Sequence, residues 1–307
     1  MAKPSQDSAP TLLVTELWGL GDLALSIPFL RAAAGKAHVV LVAKPHAAPL
    51  IARFAPAVEL VPFVAPWTAF RGKYKLLNWP WRALGGLVRG LRKRGFDIGV
   101  SARPDPRDHV LLRLAGTKRR YGFPRAGSAL LLSDPLARPA QPHRADYWAS
   151  LASALGLKIS PAQPAPREGR RVLIHAGAGQ PTRQWPRTRY ELLAAELEKT
   201  GWQIEILDDS FTGVDRLLDK LGSADRFIGN DSGPGHLAAL LGVPTFTVFG
   251  PQLPELFAPR HPKAGWIDGA PCPFKPCSDY CRFMEPRCIT SIGVETVVKR
   301  VIPWLES

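Results

Sequence analysis

Strand-length apolar runs alternate with helical segments on both sides of one proline-rich stretch, and that alternation constrains the fold more than any other feature. Before the stretch, runs at 11–17, 38–43, 59–63 and 96–101 alternate with helical patterns such as 81–94. After it, runs at 171–178, 202–207, 226–230 and 245–249 repeat the scheme. A helix between successive strands returns the chain to the same edge, so each half should build a parallel sheet covered by helices, an α/β class. A chain of 307 residues is long for one core and comfortable for two. The segment 158–170, with Pro161, Pro164 and Pro166 among small and charged residues, is the expected linker. Domains at 1–160 and 161–290 follow, with a last helix in 291–307 carrying Val294, Val297, Val298 and Val301 at helical spacing.

Within the second half, 229–244 contains a strand end, a turn of small residues and a short helix. Ser232 or Gly233 can cap that helix, Pro234 is tolerated in its first turn, and Gly242 supplies the stop before Pro244 opens the next strand. Ser232, Gly233 and Gly235 thus cluster at a helix N-terminus, where free N–H groups and the helix dipole favour an anion such as a phosphate. The alternative is a tight strand-to-helix turn with Asp231 as a cap and His236 packed on the sheet. Near the start, the first strand runs into Trp18-Gly19-Leu20-Gly21-Asp22 and then an apolar helix through Leu23, Ile27 and Leu30, in which Pro28 either begins the regular turns or kinks them. Gly19 and Gly21 serve turn geometry or an approaching ligand, and Asp22 is either a helix cap or a site residue. The Gly-x-Gly-x-x-Gly spacing of a dinucleotide site is absent.

Asp231-Ser232-Gly233-Pro234-Gly235-His236-Leu237 resembles the signature of glycosyltransferase family 9, the lipopolysaccharide heptosyltransferases, in which Asp-Thr-Gly is followed two residues later by His-Leu. The Gly21-Asp22 turn and the segment ending Arg183-Gln184-Trp185-Pro186 are similar to two further family elements. In the latter the family places Lys two residues before Trp-Pro; Arg183 keeps the cation but replaces a point charge by a fork. The matches span roughly 11–300 in family order.

The resemblance implies a GT-B architecture, two Rossmann-like domains facing across a cleft with a last helix able to cross back to the first. It implies an acceptor-binding first domain and a second domain that binds a nucleotide-diphosphate sugar, with ADP-heptose as donor and a phosphorylated, lipopolysaccharide-type glycolipid as acceptor. By the same resemblance Asp22 is the general base of an inverting transfer that needs no cofactor. Arg183, Ser232, Gly233, Gly235 and His236 hold the donor diphosphate, and Asp231 orders the turn or touches sugar. One departure bears on the donor. The segment 207–226 is short and lacks the family's adenosine-contacting Glu and Lys-Thr-Ser, with only Asp208 and Asp209 as replacements. Transferases or epimerases acting on another nucleotide sugar therefore stay open, as does a silent basic protein that binds membrane or nucleic acid.

The formal charge of +14 calls for an anionic partner. Between Arg89 and Arg120 stand ten Lys or Arg against Asp97, Asp105 and Asp108. No nucleic-acid module or stacking platform accompanies them, which disfavours nucleic acid and leaves an anionic membrane or lipid acceptor. Trp67, Phe70, Tyr74, Trp79 and Trp81, mixed with Arg71, Lys73, Lys75 and Arg82, form the expected docking patch, the alternative being core tryptophans under a solvated basic face. Residues 1–10 are polar and no apolar run is long enough to span a bilayer, so a cytoplasmic location, peripheral on the inner membrane face, is expected. All four cysteines, Cys272, Cys277, Cys281 and Cys288, fall in one short loop; a structural zinc or iron site and free thiols both fit that spacing.

Overall fold

A computed structural model of the chain describes residues 9–140, 143–160, 164, 166–207, 213–277 and 280–307, so Pro161, Asp208 and Asp209 lie outside the described residues. The chain divides into two compact units, Met1–Ser160 and Pro161–Ser307.

The first unit is built on strands β1 (Thr11–Glu16), β2 (His38–Ala43), β3 (Glu59–Pro62), β4 (Ile98–Ser101), β5 (Arg119–Gly122) and β6 (Asp134–Pro135). They pair in the order β3-β2-β1-β4-β5-β6, every neighbour parallel. β5 and β6 have no counterpart among the sequence-derived runs, because a strand reading Arg-Arg-Tyr-Gly carries no apolar periodicity. The helices are α1 (Leu20–Ala34), α2 (Ala48–Phe54), α3 (Trp81–Arg94), α4 (Pro106–Leu114) and α5 (Arg144–Ala154). α1 runs through Pro28, which neither begins nor ends it. Leu13, Val40 and Val42 of the sheet pack with Leu91 of α3 and Leu111 and Leu112 of α4. Trp67 is part of that core and Trp79 is half-buried against it, so the expected docking patch divides, with these two rings facing inward. The basic run of 89–120 is likewise no single free face. Arg94 pairs with Glu59, Lys118 with Asp97, Arg119 with Asp134 and Arg107 with Asp105.

The second unit carries β7 (Arg171–His175), β8 (Gln203–Leu207), β9 (Arg226–Asn230), β10 (Thr245–Phe249) and β11 (Gly265–Asp268), all parallel, in the order β11-β10-β9-β7-β8. Its helices are α6 (Arg187–Glu198), α7 (Val214–Gly222), α8 (Gly233–Leu240), α9 (Pro254–Phe257), α10 (Arg287–Thr290) and α11 (Val294–Leu305). Gly242 follows α8 at φ +74°, the left-handed stop expected of it. The last helix, which the resemblance allows to cross back to the first domain, is grouped with this unit. Val297, Val301 and Leu305 lie on one stripe of α11 and are buried with Leu193 and Leu197 of α6.

In both sheets the chain first adds strands to one side and then to the other. Successive helices therefore leave β1 and β4, and likewise β7 and β9, in opposite directions. The C-terminal ends of those two strand pairs are topological switch points, where open α/β sheets form binding sites.

Under the β1–β4 switch point lies Asp108 of α4, wholly buried, accepting a hydrogen bond from Trp67 Nε1 at 2.8 Å. Burial, then the charge of Asp105, raises its carboxyl to about 7. Folding therefore retains a proton that the unfolded chain releases, so stability falls as pH climbs from the ordinary carboxylate range towards 7. Asp108→Asn keeps an acceptor for Trp67 and cannot ionise. Urea unfolding at pH 5 and pH 8 should show a smaller loss of stability in the variant than in the wild type; equal losses would show that Asp108 is ionised throughout.

Candidate functional site

At the β1–β4 switch point the first unit gathers five ionisable groups. β1 ends on Glu16, only 4% exposed, whose Oε1 accepts the backbone N–H of Trp18 at 3.2 Å. The chain then turns through Gly19, the N-cap of α1, which puts Asp22 in the first helical turn. Gly19 offers no capping side chain, and Asp22, in the first turn, is engaged by charged partners from other segments. Its Oδ1 lies 2.6 Å from the guanidinium of Arg103, just beyond β4, and 3.7 Å from that of Arg144. Arg103 also lies over the Trp18 ring, 4.5 Å from its centre. Arg144 is the first residue of α5, whose N-terminus is capped by His143 Nδ1 accepting from Ala145 N at 3.1 Å.

These charges perturb one another. Burial, then the negative charge of Asp22, pushes Glu16 up to about 8, so it is largely protonated at neutral pH. Burial and the neighbouring Arg103 bring Arg144 down to about 10. Burial would lower Arg103 too, but the carboxylates of Asp22 and Glu16 outweigh it and hold the guanidinium charged. Lys44, just past β2, is lowered by burial. With Glu16 neutral, Asp22 faces an excess of positive charge, an environment suited to an anionic ligand. Asp22 and the flanking glycines were legible as a turn; Glu16, Lys44, Arg103 and Arg144 were not. They come from four separate segments that only the strand order brings together.

The second unit repeats the geometry with different chemistry. Arg183, in a single 3-10 turn after β7, places its guanidinium 3.2 Å from Asp231 Oδ2 just past β9. Ser232 is the N-cap of α8, but its hydroxyl donates back to the Asn230 carbonyl at 3.2 Å. Ser232 therefore does not serve as a side-chain cap, and the N-terminus of α8, opening on Ser232 and Gly233, suits an anion. Gly235 has a different reason to be small: it is buried, and a Cβ there would sit 3.3 Å from the Pro259 ring. His236 is buried one residue further along α8.

Asn230 fixes this turn, a role that sequence did not indicate. Its Oδ1 accepts from Trp185 N and from the Tyr190 hydroxyl, both at 2.9 Å, and its Nδ2 donates to the carbonyls of Ala176 at 2.8 Å and Gly177 at 3.2 Å. One buried amide therefore ties the end of β9 to the loop that carries Arg183 and to α6.

The four cysteines line a common cavity of about 220 Å³ with Phe274, Phe283, Arg282 and Arg287. The loop is tied down at its far end, where a Cβ on Gly269 would overlap the carbonyl of Cys288. Burial raises the Cys288 thiol. Among the described residues, however, no group of three or more His, Cys, Asp or Glu side chains is disposed to hold a metal ion.

The sequence model of glycosyltransferase family 9 (heptosyltransferase) matches residues 210–285, which include the turn from Asp231 to Leu237. None of the curated proteins matches the chain. Solved structures match over nearly its whole length. The E. coli heptosyltransferase WaaC with ADP superposes with a TM-score of 0.74 at 15% identity, covering 96% of this chain and 99% of its own. E. coli ADP-heptose lps heptosyltransferase II gives 0.68 at 20% identity, with 97% and 98% covered. A family 9 glycosyl transferase from Veillonella parvula DSM 2008 gives 0.76 at 17% identity, with 99% and 100% covered. Identities this low establish the fold, which is GT-B. With the sequence signature in the second unit and that fold along the whole chain, the resemblance to glycosyltransferase family 9 holds, and the protein has a heptosyltransferase-like glycosyltransferase fold.

Proposed function

We propose that the protein is an inverting glycosyltransferase that moves a sugar, most simply heptose, from a nucleotide-diphosphate sugar to a hydroxyl of a lipopolysaccharide-type glycolipid. Support for the donor comes from the second unit and from likeness to proteins described with ADP and ADP-heptose. The observation that carries the transfer is the placement of Asp22. It stands in the first turn of α1 at a switch point, and its carboxylate is held between two arginines.

In this scheme the acceptor oxygen attacks the anomeric carbon while its proton passes to the Asp22 carboxylate. The bond between that carbon and the diphosphate oxygen breaks on the opposite face, and negative charge grows on the departing diphosphate. Arg183 and the N–H groups that open α8 stabilise that charge. An aspartate is a weak base, so departure of the leaving group drives much of the reaction, as in oxocarbenium-like glycosyl transfer. Glu16, kept neutral by burial, withholds a second negative charge from the site, which leaves Arg103, Arg144 and Lys44 to attract the acidic groups of a phosphorylated acceptor. Such a protein would work in the cytoplasm, at the inner face of the membrane that carries its acceptor.

Two variants separate the roles. Arg183→Ala should weaken ADP binding, measured by calorimetry, by roughly 1.5 to 3 kcal/mol, the range for a charge-assisted contact. Unchanged affinity in a folded variant would remove Arg183 from the donor site. Asp22→Asn should preserve folding and ADP binding and lower transfer from ADP-heptose by about 100-fold or more, because an amide cannot take the proton. A near-native rate would exclude Asp22 as the base. Turnover of a different nucleotide sugar by the wild type would instead reassign the donor.

A further inference from the structure

The segment between the buried Trp67 and helix α3 does something the transfer chemistry does not require. It presents large apolar side chains to solvent at the tip of a turn. Leu77 is 97% exposed, Tyr74 77%, Leu76 55% and Trp81 53%. Leu76–Asn78 form a single 3-10 turn, so both leucines lie at its apex, with the exposed Arg71, Lys75 and Arg82 around them. From Phe70 to Gly95 the chain has eight Lys or Arg and no Asp or Glu.

The tip is braced. Trp81 Nε1 donates to the Leu76 carbonyl at 2.9 Å, and the Trp81 ring packs on Trp79 at 5.4 Å between centres. Trp79 in turn packs on Trp67 at 5.5 Å, and Trp67 is fastened to α4 through Asp108. A ladder of three tryptophans thus carries the turn from the core to the surface, and its outward end is two exposed leucines with Arg71, Lys75 and Arg82 close by in the chain. The energetics of an exposed apolar tip in water are unfavourable, and a bracing ladder keeps the tip from folding back to relieve them.

We propose that this turn is a membrane-docking wedge, with Leu76 and Leu77 entering the headgroup and acyl boundary of an anionic bilayer while Arg71, Lys75 and Arg82 contact lipid phosphates. Charge decides the occupant. The turn carries Arg71, Lys73, Lys75 and Arg82 and no carboxylate of its own, which complements an anionic lipid surface, and its exposed leucines suit insertion into a soft interface. This deepens the membrane part of the proposed function by naming its structural element, and it stands whether or not Asp22 is the base.

The test is sedimentation of the full chain with vesicles of phosphatidylcholine alone or mixed with phosphatidylglycerol. Binding should require the anionic lipid and should fade as salt rises, since the attraction is screened within about 10 Å at moderate ionic strength. The double change Leu76→Ser and Leu77→Ser keeps every charge and should weaken binding to anionic vesicles by about tenfold or more. The same variant should keep wild-type ADP affinity and wild-type transfer to a soluble acceptor fragment, which separates loss of docking from loss of catalysis. Vesicle binding unchanged by the double substitution would reduce the interaction to surface charge and overturn the wedge. Absence of binding to anionic vesicles would overturn it as well and point to a protein partner.

Discussion

The turn that opens α8 in the second unit depends on the side-chain amide of Asn230. A turn of small residues at a helix N-terminus binds an anion well only if its N–H groups are held still, because mobile donors must be ordered when the ligand arrives. Here the strand that precedes the turn ends in an amide that uses both of its ends. The oxygen takes two donors from the loop and helix that follow β7, and the nitrogen reaches two carbonyls of the same loop. A buried amide with all these partners is worth having, whereas one left half-satisfied would be costly. Arg183 is consequently positioned with respect to Asp231 by the fold as well as by its own ion pair.

The first unit solves the matching problem with charge. Two carboxyl groups and three basic side chains occupy one switch point, and burying all of them ionised would be prohibitive. The arrangement settles by leaving a proton on Glu16, so that Asp22 carries the negative charge and the arginines keep theirs. Asp108, one layer deeper, follows the same logic and holds Trp67. That tryptophan is the inner rung of the ladder beneath Leu76 and Leu77, which links the buried electrostatics of the site to the exposed tip at the surface.

The spacing of the four cysteines indicated that they share one place in the fold, and they line one cavity. The aromatic-basic patch was less legible. Its residues are close in sequence, but Trp67 and Trp79 turn inward while Tyr74, Trp81 and the two leucines are exposed, and composition does not distinguish the two.

Sequence alone determined the class of fold. Alternating strand-length and helix-length patterns dictate parallel sheets, and the strands whose residues are apolar on both faces were legible nearly to their ends. It also singled out the turn from Asp231 to His236, the Gly21-Asp22 turn and Arg183 as candidates, the last two through their resemblance to family elements. Strands such as Arg119–Gly122, whose burial is supplied by neighbours rather than by their own side chains, were not legible. Tertiary structure alone decided the strand order, and with it which charges meet. Glu16, Lys44, Arg103 and Arg144 lie far apart in the chain and become one site only because β4 pairs with β1 on the side opposite β2. Local patterns fix what each segment becomes, since they act over a few residues. Long-range pairing fixes what each segment faces, and the protonation of Glu16 follows from that.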